Sequence, residues 1–168
     1  MGVDPGLVAT GYGIIDADGR QPTLVEAGVL RSRESDPLET KLLEIHRGMT
    51  EVVCEFVPAV VVVEELYSKY NHPRTAILMG HARGTIYIAA AAHGIPVVSY
   101  APTRIKKSLT GNGRASKGQM QRMVQQVFGL HRAPHPPDVA DALAVALCHH
   151  NVLMHDYKQH DAIGAHRK

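Results

Sequence analysis

Four carboxylates stand where short apolar stretches end or a helix opens. Asp4 closes Gly2-Val3-Asp4 ahead of Pro5-Gly6, Glu64 follows the unbroken run Val60–Val63, and Asp138 and Asp141 lie three residues apart near the end of the chain. Strand ends are where open α/β sheets bind ligands. Residues three apart on a helix share a face. If the helix carrying Asp138 and Asp141 docks beside the two strand ends, four anions converge. Such a cluster is costly unless cations neutralise it. Hard divalent ions accept an all-oxygen ligand set, and Mg²⁺ suits it. Two such ions about 3.5–4 Å apart can activate a water and stabilise the leaving oxygen of a phosphodiester. Three of these acids also have an ordinary explanation, whereas Glu64, directly after four consecutive Val, is less easily dismissed. Asp138 and Asp141 in a first helical turn complement the helix dipole at about 0.3–1 kcal/mol each. Asp4 before Pro5-Gly6 suits a turn. Glu65 alternates with Glu64 and reads as a solvated group on the opposite face. The combination is more specific than any single member.

The surroundings of these acids favour a polyanionic substrate. Between Glu65 and Asp138 lie seventy-two residues without an Asp or Glu, carrying ten of the 18 Lys and Arg. The formal net charge of +2 conceals this segregation. Arg104, Lys106, Lys107, Arg114 and Lys117 fall within fourteen residues around Thr110-Gly111-Asn112-Gly113-Arg114, where glycines let the backbone approach a strand closely. Cations there can hold phosphate and stabilise developing negative charge. A solvated basic face is the usual fate of such runs, but merely soluble surfaces mix signs. Tyr67, three residues beyond Glu64, could stack on an unpaired base; a half-buried tyrosine at a strand edge is the even alternative. The expected nucleic-acid face comprises Tyr67, Lys69, Arg74, Arg104, Lys106, Lys107, Arg114 and Lys117.

The elements that must position these groups follow from periodicity. Short extended stretches are expected at Gly2–Pro5, Thr10–Asp16 and Thr23–Arg31, with Asp16-Ala17-Asp18-Gly19 as a hairpin turn between the last two. Pro37–Phe56 places apolar residues at helical spacing and stops at Pro58. Ala59–Val63 suits a strand buried on both faces. Arg74–His93 reads as an Ala- and Gly-rich helix closed by Gly94, followed by a strand at Ile95–Tyr100. Helices are expected at Pro102–Leu109, from a Ser116/Gln119 capping box to about Leu130, and at Asp138–Leu153. Residues 154–168 are expected to form a loose, His-containing tail after a single domain at 1–153. The expected fold is α/β: a five-stranded mixed sheet, with an antiparallel meander of three strands plus two parallel strands, and helices on both faces.

Bulk features narrow the function classes. At 168 residues, 45% apolar, without Trp, the chain can bury one proper core built from Val, Ala, Leu and Ile. No apolar run reaches the roughly 20 residues of a membrane span. Met1-Gly2-Val3-Asp4 has no secretory pattern, and Gly6 stands where a myristoylation signal needs Ser or Thr. Cys54 and Cys148 are isolated and read as reduced thiols of a cytoplasmic protein. The eleven His residues show no tetrahedral metal spacing.

G-V-D-P-G-L-x-x-T-G-Y-G at the start, V-V-V-V-E-E-L-Y in the middle and D-V-A-D-A-L-A-V-A near the end resemble the RuvC-type Holliday-junction resolvases, in register from about Gly2 to His150. The resemblance implies an RNase H-like fold and a homodimer. It implies an endonuclease that nicks two opposed strands of a four-way DNA junction with Mg²⁺, two ions per site, Mn²⁺ substituting. The products carry 5′-phosphate and 3′-OH ends, and the setting is DNA recombination and repair beside a branch-migration motor. Asp4, Glu64, Asp138 and Asp141 match the family's metal ligands, Lys106 and Lys117 its lysines near the scissile phosphate, and Tyr67 its junction aromatic. The helix at Arg74–His93 matches the dimer helix. Two departures stand out. The first strand begins only three residues before Asp4, where members usually have a few more, so a trimmed or misassigned start is expected. Some members also carry a His in the last acidic pair, where this chain keeps Asp twice.

Two other readings compete. An actin-like sugar kinase or ATPase also uses D-x-G before a Gly-containing hairpin, but needs two such domains. A catalytically inert junction-binding module predicts a broken acidic set, whereas all four positions are intact. Paired nicks in a labelled junction, as against binding alone, separate the last reading from the nuclease.

Overall fold

The valine run that precedes Glu64 forms the middle of the molecule. In the computed structural model, which describes residues 1–19, 21–66 and 73–165, the strand Val61–Glu64 buries Val61, Val62 and Val63 almost completely. Their side chains alternate between two cores, because successive strand residues face opposite ways. Val61 and Val63 pack with Ile45, Met49, Val53, Ile86 and Ala89, while Val62 packs with Ile105, Met120, Leu143 and Leu147. A strand apolar on both sides needs helices on both sides, and it has them.

Ten elements follow in order: β1 (Gly2–Asp4), β2 (Ala9–Asp16), β3 (Thr23–Arg31), α1 (Leu38–Phe56), β4 (Val61–Glu64), α2 (Pro73–Ala92), β5 (Val97–Tyr100), α3 (Pro102–Thr110), α4 (Lys117–Val127) and α5 (Pro137–Ala165). The sheet order is β3-β2-β1-β4-β5. β1, β2 and β3 form the antiparallel meander; β4 runs parallel to β1 and β5 parallel to β4. This is the expected five-stranded mixed sheet. Helices α1 and α2 cover one face, and α3, α4 and α5 the other.

Several boundaries move for identifiable reasons. β1 stops at Asp4 rather than Pro5, since proline cannot donate to a ladder. Pairing of β4 with β5 starts at Val61 and Val97, because Pro58 and Pro96 interrupt the lead-ins. Gly94 (φ 69°) closes α2 as expected. Gly129 (φ 62°) ends the last turn after α4 short of Leu130. The larger correction concerns α5. It does not end at Leu153 but continues to Ala165, since no Pro or Gly interrupts residues 154–163. Among the described residues no helix is long and apolar enough to cross a membrane.

Candidate active site

Asp4 and Glu64 are the last residues of β1 and β4. These strands are parallel neighbours with Val3 opposite Val63, so the two acids leave the same end of the sheet side by side. The chain turns away sharply after Asp4. Thr10, wholly buried, accepts from the Gly6 amide at 3.2 Å and donates to the Gly6 carbonyl at 2.6 Å, clamping the loop that follows. Sequence reasoning treated Thr10 as an ordinary strand residue. Its one available signal was a hydroxyl inside an otherwise apolar or glycine stretch.

The second pair arrives on α5. Pro137 opens that helix and Asp138 lies in its first turn, where both suit the chemistry of a helix start. Asp141 follows one turn later on the same side. Apart from Asp141, residues Val139–Leu147 are apolar and buried, packed against β1, β2 and β4, and this packing brings the acids to the strand ends.

Asp4 lies close enough to the other three acids to feel their charges. The Asp4 carboxyl is pushed up to about 7, first by burial and then by the charges of Asp141, Glu64 and Asp138, with Lys117 opposing. Glu64 is raised by burial and by Asp141, against the pull of Lys106. Carboxylates so disfavoured as anions are groups a cation would stabilise. All four offer oxygen donors, which fits a hard divalent ion. Among the described residues no three acidic, His or Cys side chains are drawn into a common coordination shell. Instead, Lys117 places its ammonium 2.8 Å from Asp141 Oδ2.

The basic loop is built with care. Gly111 (φ 74°) terminates α3, the Asn112 side chain accepts from the Arg114 amide at 2.9 Å, and Ser116 with Gln119 forms the expected capping box at the start of α4. Lys117 then occupies the first turn of α4, which carries no acid. A cation there opposes the helix dipole, so the fold of α4 gives no reason for it; the ion pair to Asp141 does. The Lys117 ammonium is raised, chiefly by that hydrogen bond. A cleft of about 210 Å³ gathers Glu64, Asp141, Lys106 and Lys117, walled by Pro102, Ile105, Met120 and Ala144.

The other expected nucleic-acid residues do not line that cleft. Lys107 and Arg114 are exposed on α3 and the loop after it, and Arg74 is exposed at the start of α2. Arg104 instead lies over the Tyr100 ring, 4.8 Å from its centroid. Tyr67 and Lys69 lie outside the described residues. A larger cavity of about 310 Å³, lined among others by Ile14, Phe56, Pro58 and His150, carries none of the four acids. Its size does not make it the site: Asp16, Asp18, His149 and His150 line it, but among the described residues no Lys or Arg stands beside them as Lys106 and Lys117 do in the smaller cleft.

The family model for "Crossover junction endodeoxyribonuclease RuvC" matches residues 1–149. The chain belongs to the RuvC family. Within that family, the crossover junction endodeoxyribonuclease RuvC of Rhodopirellula baltica is 52% identical over 150 residues, covering 89% of this chain and 84% of the relative. The RuvC structure from Thermus thermophilus superposes with a TM-score of 0.83 at 33% identity, covering 92% of this chain and 95% of that one. T. thermophilus RuvC in complex with a Holliday junction substrate matches with a TM-score of 0.83 at 36% identity, covering 88% and 90%. The RuvC family is one of metal-dependent nucleases, and the mixed sheet with helices on both faces is its RNase H-like resolvase fold.

Proposed function

We propose that this chain resolves four-way DNA junctions, cutting two opposed strands by metal-dependent phosphodiester hydrolysis to leave 5′-phosphate and 3′-OH ends. The observation that carries the reading is geometric: Asp4 and Glu64 end adjacent parallel strands, and α5 brings Asp141 to Glu64 in one cleft with Lys106 and Lys117. Membership of the RuvC family supports it.

The four carboxylates would hold Mg²⁺, with Mn²⁺ as a substitute. The bound ions would supply an activated water and stabilise the leaving oxygen. Asp4 and Glu64 fix their part of the site from rigid strand ends, whereas Asp138 and Asp141 depend on how α5 is seated. Lys117 holds Asp141 in place and brings a positive charge to the cleft; Lys106 brings a second one. With substrate present, both ammonium groups stand where negative charge develops on the phosphate. Arg74, Lys107 and Arg114, and in the family's pattern Tyr67 and Lys69, would bind the arms of the junction, so affinity should fall with salt. Arg104 is the weakest member of that set, because its guanidinium is engaged with Tyr100.

Paired cuts need two sites related by symmetry. Helix α2 supplies a suitable face: Ile77 and Ile88 are 63% and 62% exposed, and nothing lies within 4 Å of where a Gly84 side chain would be. Two copies of α2 could therefore approach closely.

A labelled synthetic four-way junction incubated with the protein and Mg²⁺ tests the reading. Symmetric nicks in opposed strands are expected. Binding without nicks would favour an inert junction-binding module instead.

A further inference from the structure

Gly11 of β2 sits directly across the ladder from Asp4 of β1. Directly opposed residues of an antiparallel pair project from the same face of the sheet, and here α5 covers that face. A Cβ at Gly11 would fall inside contact distance of the Asp138 carbonyl oxygen, 2.5 Å from its carbonyl carbon and 3.1 Å from Asp138 Cβ. The colliding atoms are mainly backbone, so no side-chain rotation relieves them. The peptide of one candidate ligand therefore rests on bare strand beside another. Gly13, two residues along, provides the contrast. A Cβ there would meet the buried Leu143 side chain, including Cγ at 2.8 Å, five residues beyond Asp138.

We propose that Gly11 is a positioning residue for the metal site: its missing side chain sets the separation of Asp138 from Asp4. The assignment rests on the four-carboxylate site proposed above. An alanine at this position must lift the first turn of α5 off the sheet, because its Cβ cannot share space with a carbonyl. Neither carboxylate is altered, but the gap between them widens. Mg²⁺ demands near-ideal octahedral geometry at roughly 2.0–2.1 Å, so a site stretched by a fraction of an ångström binds it poorly. Gly13→Ala meets side-chain carbons of the buried Leu143 rather than a ligand's own carbonyl, so its strain falls on the core and should disturb the Asp4–Asp138 separation less.

The test is Mn²⁺ binding to the full chain without DNA, read by electron paramagnetic resonance of the free ion, with circular dichroism reporting the fold. Gly11→Ala should weaken binding about tenfold or more, the scale seen when groups that orient ligands are lost. Gly13→Ala should stay within about threefold of wild type on the same scale. The preference for side-chain length at position 138 should also reverse. Asp138→Glu should weaken binding in the wild-type background, where the gap suits aspartate, and improve it in the Gly11→Ala background, where the extra methylene spans the wider gap. Wild-type affinity in Gly11→Ala overturns the assignment, as does an equal loss in Gly13→Ala. If Gly11→Ala does not fold, Gly11 serves the fold as a whole and the assignment falls too. Asp138→Asn separates the two layers of the argument. If it binds Mn²⁺ like wild type, the metal site itself is wrong; if it binds weakly while Gly11→Ala does not, only the positioning role is lost.

Discussion

Lys117 and Asp141 join the two halves of the site through a 2.8 Å ion pair between the first turn of α4 and the first turns of α5. The pair ties the basic loop to the acidic helix, so the cations that would meet phosphate and the anions that would hold metal move as one unit. It is half open to solvent and contributes little to stability. Its weight falls on geometry.

Glu64→Gln should abolish cleavage while leaving junction binding intact. The amide keeps the shape of the strand end but removes the charge, and losses of about a thousandfold are typical when a site loses a group that stabilises developing charge. Cleavage of a labelled junction together with a gel-shift titration checks this. Wild-type cutting by the variant would remove Glu64 from the metal site.

Lys106→Ala should slow the chemical step more than it weakens binding, by about a hundredfold against a few-fold. Lys117→Ala should do likewise, with an added loss from the freed Asp141 carboxylate. Single-turnover rates at saturating enzyme separate the two effects; equal losses would make either lysine a simple phosphate anchor.

The metal-free protein should become less stable as pH rises from about 4 to about 7. The Asp4 carboxyl holds its proton up to about 7 in the folded chain, against about 3.9 when unfolded. Between those values the folded state binds more protons than the unfolded state, so ionisation costs stability, and above about 7 the full penalty applies. Asp4→Asn should therefore melt higher than wild type at pH 8 in chelator, the gap closing towards pH 4. A gap constant with pH would contradict the buried, charge-coupled placement of Asp4.

Val57→Gly should stabilise the fold. Val57 closes α1 with φ 42° and ψ 58°, and its side chain is 72% exposed. That left-handed conformation costs an L-residue about 1–2 kcal/mol, whereas glycine's added chain entropy costs roughly 0.5–1 kcal/mol. A rise of about 2–4 °C in Tm is expected for a domain of this size, with cleavage unchanged; calorimetry checks it.

If two copies pair through α2 as proposed, Ile88→Asp should yield monomers. A charge on the exposed α2 face forbids close approach of a second copy. Sedimentation velocity should show the change, and paired nicks in a cruciform plasmid should become independent single nicks.

The parts of this molecule legible in its sequence are those governed by local rules. The valine run announced β4, Ser116 with Gln119 announced the start of α4, and Gly94 announced the end of α2. Asp4 and Glu64 could be placed at strand ends because apolar stretches stop there. Contacts set by backbone geometry and packing were not legible. Arg104 turns back to Tyr100 and Thr10 clamps Gly6 across only four residues, through turns that no residue pattern announces, and Gly11 lies under Asp138 only because of how α5 settles on the sheet. The extent of α5 was misjudged because polar residues after Leu153 resemble a tail, although polarity alone does not break a helix. The expected roles of Tyr67 and Lys69 lie outside the described residues.

The site draws Asp4 from the first strand and Asp138 and Asp141 from the last helix, with the basic loop between them in sequence. Chains are synthesised from the N-terminus, so on a ribosome the surface for DNA emerges before the machinery for cutting it is complete. Half of the proposed ligands arrive only with α5. Because α5 also supplies much of the core beneath α3 and α4, a nascent chain that has not reached residue 138, or one cleaved there, could neither seat a junction on that surface nor break it.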